Sequence, residues 1–322
     1  MDLRLAAYEL SARHNLPPEA ARQLHDLSGL NAEPDQLERS FTKGLAMTAA
    51  FLGGAGIIFW IAANWSAFGR FGRFALLQGL FLAMSIGAAH SPRARAAFGT
   101  AAFMTMGALL AYFGQTYQTG ADPWQLFAAW SLLSLPICFA AKSDTVWAAW
   151  CWVTMTGISL WAAALIGYHW HIDDSDAMAC LQAWGLAAAT CALLSPLAGP
   201  ATGSGRWSFR SSVALTAIMI ALTGLSDLLN PGSQQIFVLA LAVLGVSAFM
   251  LTRPGWVDVF NLSVVGLAVD VLLIGMLAKE MLNRLEIPNL LMVGLSAAAI
   301  LGGTVHLIVS VTRSANQHGG VQ

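Results

Sequence analysis

Residues 113–130 read FGQTYQTGADPWQLFAAW and form a polar interruption between two apolar runs. Five consecutive polar side chains supply hydrogen-bond donors and acceptors, and the flanking Gly114 and Gly120 permit a tight backbone turn. Asp122 followed by Pro123 is typical of a helix start, with Asp at the N-cap and Pro at the first helical position. The sequence therefore predicts that one helix ends and another begins here. The candidate polar turn consists of Gln115, Tyr117, Gln118 and Asp122.

Two interpretations of this polar turn are open at this point. Its side chains could line a cavity or a re-entrant turn, since non-helical backbone inside a bilayer is stable only where protein or water surrounds it. They could instead form an ordinary exposed loop that connects two helices.

The rest of the chain is dominated by apolar residues. Hydrophobic residues make up 57% of the 322 residues and charged residues only 10%, whereas about 25% of the residues of a soluble protein are charged. A lipid bilayer accepts this much apolar surface because it is itself an apolar solvent. We therefore predict an all-α, polytopic integral membrane helix bundle whose partner is the lipid bilayer. The net charge is −1, so the chain lacks the excess of basic residues that is typical of nucleic-acid-binding proteins, and we expect no nucleic acid partner.

The apolar runs predict about ten transmembrane helices. A span needs roughly 20 residues to cross the hydrocarbon core. The second and third runs are short and close together, so they could form a tight or partly re-entrant pair. The predicted spans are approximately 44–64, 74–90, 96–114, 123–141, 145–168, 176–197, 211–229, 234–251, 256–278 and 288–312.

These spans divide the chain into four predicted regions. Residues 1–43 lack a continuous apolar core and contain a Pro-Pro pair that opens a short amphipathic helix, so we expect a cytoplasmic helical segment. Two membrane regions of five spans each follow, at residues 44–168 and 169–313. Residues 314–322 are expected to be a disordered tail.

The orientation follows from the positive-inside rule, by which cytoplasmic loops are enriched in Lys and Arg. With the N-terminus in the cytoplasm, basic residues predominate at the inner ends of the spans, and both termini lie inside. Arg70 and Arg73 violate the rule, because they fall in an outer loop. The inner residues are Arg39, Lys43, Arg93, Arg95, Lys142, Arg206, Arg210, Arg253 and Arg313, and the outer ones are Arg70, Arg73, Lys279 and Arg284.

Three motifs in the first half of the chain indicate a family. They are WIAANW at residues 60–65, FGQTY at residues 113–117, and the Trp-rich helix start at residues 124–130. Together with the short helical N-terminus, they resemble a bacterial family of predicted membrane proteins, the domain of unknown function 2157, to roughly residue 168. The resemblance implies a location in the bacterial inner membrane. It brings no activity, substrate or catalytic residue, and we expect no cofactor.

Asp270 lies well inside the ninth predicted span, where an ionisable side chain costs roughly 2.5–3.5 kcal/mol to insert. Asp258 lies on the same face of that helix. On the tenth span, His306 continues a stripe of small residues four positions apart, and such stripes let helix backbones approach closely. The stripe consists of Gly294, Ala298 and Gly302. We therefore predict a candidate intramembrane polar site of Asp270, His306 and Asp258.

This predicted site has two interpretations. Asp270 and His306 could form a proton- or cation-linked relay, because ionisable groups inside spans often mark ion pathways. The pair could instead be a structural hydrogen bond between adjacent helices, since buried polar pairs also determine which helices pack together.

Residues 169–176 read HWHIDDSD and are rich in the side chains that bind metals. His169, His171 and Asp173 are weak candidate ligands. The alternative is a polar loop whose Asp176 caps the sixth span. Because no second ligand cluster occurs at an identifiable spacing, we predict no metal site.

The sequence leaves three functional classes open. It contains no G-x-S-x-G, H-E-x-x-H, phosphate-loop or dinucleotide-binding motif. This favours a non-catalytic component or scaffold of a bacterial envelope complex, with a membrane or periplasmic protein as its partner. One alternative is a proton- or ion-linked transporter or channel that uses Asp270 and His306, and another is a membrane-embedded enzyme.

Overall fold

The computed structural model is helical, and no strand occurs in the residues that it describes. The all-α prediction is therefore confirmed. The chain divides into two compact units, Met1–Ala67 and Phe68–Gln322, and the predicted subdivision after residue 168 stays a prediction. The described residues are 9–28, 65–118, 120–170, 172, 174–230, 232, 234–253, 256–282 and 287–319, with isolated positions between 41 and 63.

The first unit contains helix α1 (Pro18–Leu27), which begins at the second residue of the Pro-Pro pair. Glu19 in its first turn interacts favourably with the positive end of the helix dipole. A single 3-10 turn, Trp65–Ala67, ends this unit. The predicted first span, residues 44–64, lies mostly outside the described residues.

The second unit contains nine longer helices in its described part, which correspond to the second to tenth predicted spans. Eight of them are long and apolar enough to cross a membrane, and α8 is apolar but shorter, at 17 residues. The helices are α2 (Arg70–His90), α3 (Arg95–Tyr117), α4 (Pro123–Ala141), α5 (Asp144–Ile166), α6 (Ala177–Leu194), α7 (Arg206–Leu229), α8 (Gln235–Leu251), α9 (Val259–Leu282) and α10 (Ile287–Gly319).

One pair of helices had two expected arrangements, and the last helix differs from its expectation. The second and third predicted spans are full helices of 21 and 23 residues, α2 and α3, so they form the tight pair rather than the partly re-entrant one. They approach closely at Gly87, where an added Cβ would lie 3.0 Å from the ring of Phe98. The last helix continues to Gly319, so it includes most of the residues 314–322 that we expected to form a disordered tail.

Helix α7 lies at the centre of the second unit. It packs against α5, α6, α8 and α9, and half of its apolar span is buried. Gly224 permits the close approach of α8, because an added Cβ would lie 2.8 Å from the Cβ atom of Ala240. The buried side chains form two clusters, one within α3–α6 and the other centred on α6–α9, so α6 contributes to both.

Candidate functional site

The carboxylate of Asp270 lies inside α9, and the residue is only 2% exposed. Thr304 of α10 donates a hydrogen bond from its hydroxyl to Asp270 Oδ1, over 2.7 Å. Gly266, one turn earlier on α9, leaves room for this contact, because an added Cβ would lie 2.8 Å from Thr304 Cγ2. A hydrogen bond from the adjacent helix thus offsets part of the cost of burying this polar group.

The structure gives Asp270 a different partner from the predicted His306. His306 is exposed, and it follows Thr304 by two residues, which turns its side chain by about 200° around the helix. The side chains of α10 that meet Gly266 are Thr304 and Ile308, one turn apart. The stripe of small residues lies on another face, since a Cβ added at Gly302 meets no atom within 4 Å.

Asp258 lies away from Asp270, at the start of α9. It precedes Asp270 by twelve residues, or about 18 Å along a helix. Arg210 of α7 binds its carboxylate with two hydrogen bonds, Nε to Oδ2 at 2.7 Å and Nη2 to Oδ1 at 2.8 Å. These bonds lower the pKa of Asp258 below its usual value, against the opposing effect of partial burial. The three residues of the predicted polar site therefore occupy three separate positions.

Asp144, which the sequence analysis did not single out, binds the N-terminus of α7. Its Oδ1 accepts hydrogen bonds from the backbone N–H groups of Gly205 and Ser208, and its Oδ2 accepts one from Trp207, each over 2.9 Å. These are N–H groups that the first turn of a helix leaves without internal partners. Gly205 lets the carboxylate approach, since an added Cβ would lie 2.7 Å from Asp144 Cγ. Asp144 thus caps a helix that is distant in sequence.

Asp227, near the other end of α7, also binds a backbone N–H group of another helix. The residue is 3% exposed, and its Oδ2 accepts a hydrogen bond of 2.8 Å from the backbone N–H of Phe237, in the first turn of α8. The rule that identified Asp270, a carboxylate inside an apolar run, applies equally to Asp227 and could have found it. No local signal identifies Phe237 as its partner.

Lys279 of α9 binds the C-terminal end of α7. Its ammonium group donates hydrogen bonds to the backbone carbonyls of Leu228 and Asn230. Carbonyls at this end of a helix lack internal partners and carry partial negative charge. Helix α7 therefore has a carboxylate at its N-terminus and an ammonium group at its C-terminus, each supplied by another helix.

The loop between α5 and α6 is attached to the same end of α7. Ser226 donates a hydrogen bond to the carbonyl of Trp170, and the Asn230 amide donates one to the carbonyl of Ile172 at 2.9 Å. His169 is exposed, whereas His171 and Asp173 lie outside the described residues. Within the described part of the chain, no three His, Cys, Asp or Glu residues come together as metal ligands would.

The candidate polar turn is a helix end followed by a short connection. Gln115 and Tyr117 belong to the last turn of α3, and Gln118 ends it in the left-handed conformation, with φ of 41°. Asp122 occupies the N-cap of α4, as predicted, but its side chain makes no capping hydrogen bond. These four side chains are all exposed, as in an open connection, and Tyr117 also lines a groove on the surface of α2 and α3.

An aromatic groove runs between the start of α2 and the end of α3. Phe74 lies 4.7 Å from the ring of Tyr112 and 6.2 Å from that of Tyr117, measured between ring centroids. Phe113 contacts Tyr117 at 4.7 Å. The groove has a volume of about 380 Å³. It is lined by Phe71, Phe74, Ala75, Gln78, Phe113 and Tyr117.

Comparison with known proteins links the first half of this chain to one family. No curated protein and no solved structure matches the chain. The matched region ends within α5, short of the predicted limit at residue 168. It includes the WIAANW motif, the polar turn and the aromatic groove. The predicted resemblance is confirmed, because residues 8–147 match the family described as predicted membrane protein (DUF2157).

Proposed function

We propose that this multi-pass membrane protein is a non-catalytic component of a bacterial envelope complex, located in the inner membrane with both termini in the cytoplasm. One observation supports this proposal above others. Three carboxylates at or inside the spans, Asp144, Asp227 and Asp270, each accept hydrogen bonds from the bundle itself. Such groups stabilise the arrangement of the helices, whereas a catalytic or transporting carboxylate needs access to a substrate or an ion.

The partner surface that we propose is the open side of α10. This helix packs on α9, yet none of the residues in its apolar segment, Leu291–Arg313, is buried. Cβ atoms added at Gly294 or Gly302 would meet no atom within 4 Å. Small residues allow a second helix to approach closely enough for backbone contact, which is a main source of helix association in lipid.

The test is co-purification from native membranes of the wild type and two glycine variants. Gly302→Leu places a large side chain on the proposed contact, whereas Gly245→Leu makes the same change at an exposed, open glycine of α8. We expect a stoichiometric membrane or periplasmic protein with the wild type and with Gly245→Leu, and its loss with Gly302→Leu. Retention of the partner by both variants, or a wild type that purifies alone, would contradict the proposal.

A proton-linked transporter is the second candidate, favoured by the depth of Asp270 and by the single hydroxyl that binds its Oδ1 atom. Proteoliposomes with an internal pH dye distinguish the two functions. A non-catalytic component gives the same proton flux as protein-free liposomes. A transporter gives a proton flux above that level. The flux should be lost in Asp270→Asn, because a neutral amide cannot take up and release a proton, and kept in Asp258→Asn.

A further inference from the structure

The aromatic groove between α2 and α3 is an open depression lined mostly by aromatic side chains. Its floor contains the tilted rings of Phe74 and Tyr117, whose centroids are 6.2 Å apart, and the ring of Tyr112 lies 4.7 Å from that of Phe74. It is open on one side and has a volume of about 380 Å³. Phe71 and Phe113, which line it, are 76% and 47% exposed, so the groove is open to its surroundings.

A positive charge lies at the rim of this groove. The guanidinium carbon of Arg70 lies 5.1 Å from the ring centroid of Phe71, which is one of the lining residues. The hydroxyl of Tyr112 donates a long hydrogen bond, 3.5 Å, to the backbone carbonyl of Arg70 and so connects the residue to α3. Arg70 is exposed and begins α2, and the first turn of this helix carries no acidic residue that would neutralise it.

We propose that the groove binds an anionic phospholipid, with one acyl chain along the aromatic floor and the phosphate paired with Arg70. The guanidinium group suits phosphate because it offers paired donors in a fixed plane. The start of a spanning helix lies at the level of the lipid headgroups, where Tyr and Trp are also enriched. A lipid is favoured over a peptide because the apolar groove and the cation lie next to each other. A phospholipid likewise carries its acyl chain next to its phosphate, so the chain would meet the groove and the phosphate would meet Arg70.

This proposal concerns α2 and α3 and is independent of the partner surface on α10. The probe is phosphatidylglycerol with a photoactivatable group in its acyl chain, in vesicles of phosphatidylcholine that contain the purified protein. Photoactivatable phosphatidylcholine serves as the neutral probe. We expect labelling of Phe71, Phe74, Phe113 or Tyr117, identified by peptide mass spectrometry, and several-fold more label from the anionic probe than from the neutral one.

Two variants with one matched control test the two parts of the site. Ala75→Trp fills the groove, and Ala83→Trp makes the same change two turns later on α2, at an exposed position outside the lining. We expect Ala75→Trp to lose most of the label and Ala83→Trp to keep it. Arg70→Gln should lower the anionic label to the level of the neutral one. Circular dichroism and thermal unfolding of each variant verify that it is folded.

Each remaining outcome overturns the proposal. Equal labelling by the two probes in the wild type would exclude recognition of the phosphate. Equal label in Ala75→Trp and Ala83→Trp would exclude the groove as the binding site of the chain. Unchanged anionic label in Arg70→Gln would exclude the ion pair. A photoactivatable amino acid in place of Phe113 tests the groove in native membranes. A cross-link to a protein rather than to a lipid would assign the groove to a protein partner.

Discussion

Asp144 shows how much a single side chain contributes to the arrangement of this bundle. One carboxylate accepts hydrogen bonds from three backbone N–H groups of another helix. Its negative charge also lies at the positive end of the helix dipole. An N-cap usually comes from the residue immediately before its own helix, whereas here the capping residue belongs to a different helix and therefore fixes the position of one relative to the other.

Asp144→Asn should lower the stability of the protein. The amide has one acceptor oxygen in place of two and no charge, so we expect a loss of about 1–2 kcal/mol, typical of a capping or charge-assisted hydrogen bond. Thermal unfolding in detergent measures it as a lower Tm. Asp122→Asn is the control, because Asp122 is an N-cap whose side chain makes no capping bond. Equal Tm values for the two variants would show that the Asp144 contact contributes no stability.

The ion pair between Arg210 and Asp258 predicts that the stability of the fold depends on pH. Because the folded protein holds the pKa of Asp258 below its usual value of 3.8, the pair stabilises the fold at neutral pH. That contribution is lost as the pH falls through the lowered pKa. The Tm difference between the wild type and Asp258→Asn should therefore be constant above about pH 5 and shrink below about pH 4. A difference that grows on acidification would mean that the carboxylate is not stabilised by Arg210.

For the buried carboxylates, the sequence was sufficient to find the residues but not their hydrogen-bond partners. Depth in an apolar run identified Asp270, and the same criterion applies to Asp227. The partners of these carboxylates, Thr304 and the Phe237 N–H, are brought to them by helix packing. The rotation of α10 about its axis decides between Thr304 and His306, and neither hydropathy nor small-residue spacing determines that rotation.

At the scale of the helix, two glycines of similar sequence context have opposite environments. Gly224 lies where α7 and α8 touch, and a Cβ there would approach Ala240 to 2.8 Å. Gly302 on α10 has open space around it. A stripe of small residues therefore indicates that a helix can be approached closely, but it does not tell which helix, if any within the chain, occupies that face.

Gly224→Leu should strongly destabilise the isolated protein, whereas Gly302→Leu should leave it unchanged. The first change forces α7 and α8 apart, and overpacking of a filled interior costs about 1–3 kcal/mol. The second places its side chain toward lipid. Thermal unfolding of the purified, partner-free chains compares the two Tm values with that of the wild type. A large loss in Gly302→Leu alone would show that this face of α10 is buried within the chain.

Across the described part of the chain, hydropathy and helix-start signals were sufficient to predict the fold class and the positions of the nine longer helices. Each of the second to tenth predicted runs corresponds to a helix, because about 20 apolar residues in lipid must satisfy their backbone groups internally. The order in which the helices pack was not predictable, since every span has apolar residues all around. The central position of α7 depends on contacts with α5, α6, α8 and α9.

The orientation of the whole chain is tested by reporter fusions. Asp122 and Lys142 flank opposite ends of α4, so fusions after these residues should report opposite sides of the membrane. The distribution of basic residues predicts the outside for Asp122 and the cytoplasm for Lys142 and for the end of the chain. Reversed signals would overturn the orientation, and identical signals for Asp122 and Lys142 would show that α4 does not cross.

The charged groups at the two ends of α7 have a consequence for the synthesis of the protein. Asp144 is translated before α7, so the N-terminal cap is available as soon as α7 enters the membrane. Lys279 follows α7 by fifty residues. The carbonyls of Leu228 and Asn230 therefore lack this hydrogen-bond donor until α9 has been synthesised. A nascent chain that stops between α8 and α9 therefore lacks the ammonium group that binds these two carbonyls, and the C-terminal end of α7 is completed only when α9 has folded against it.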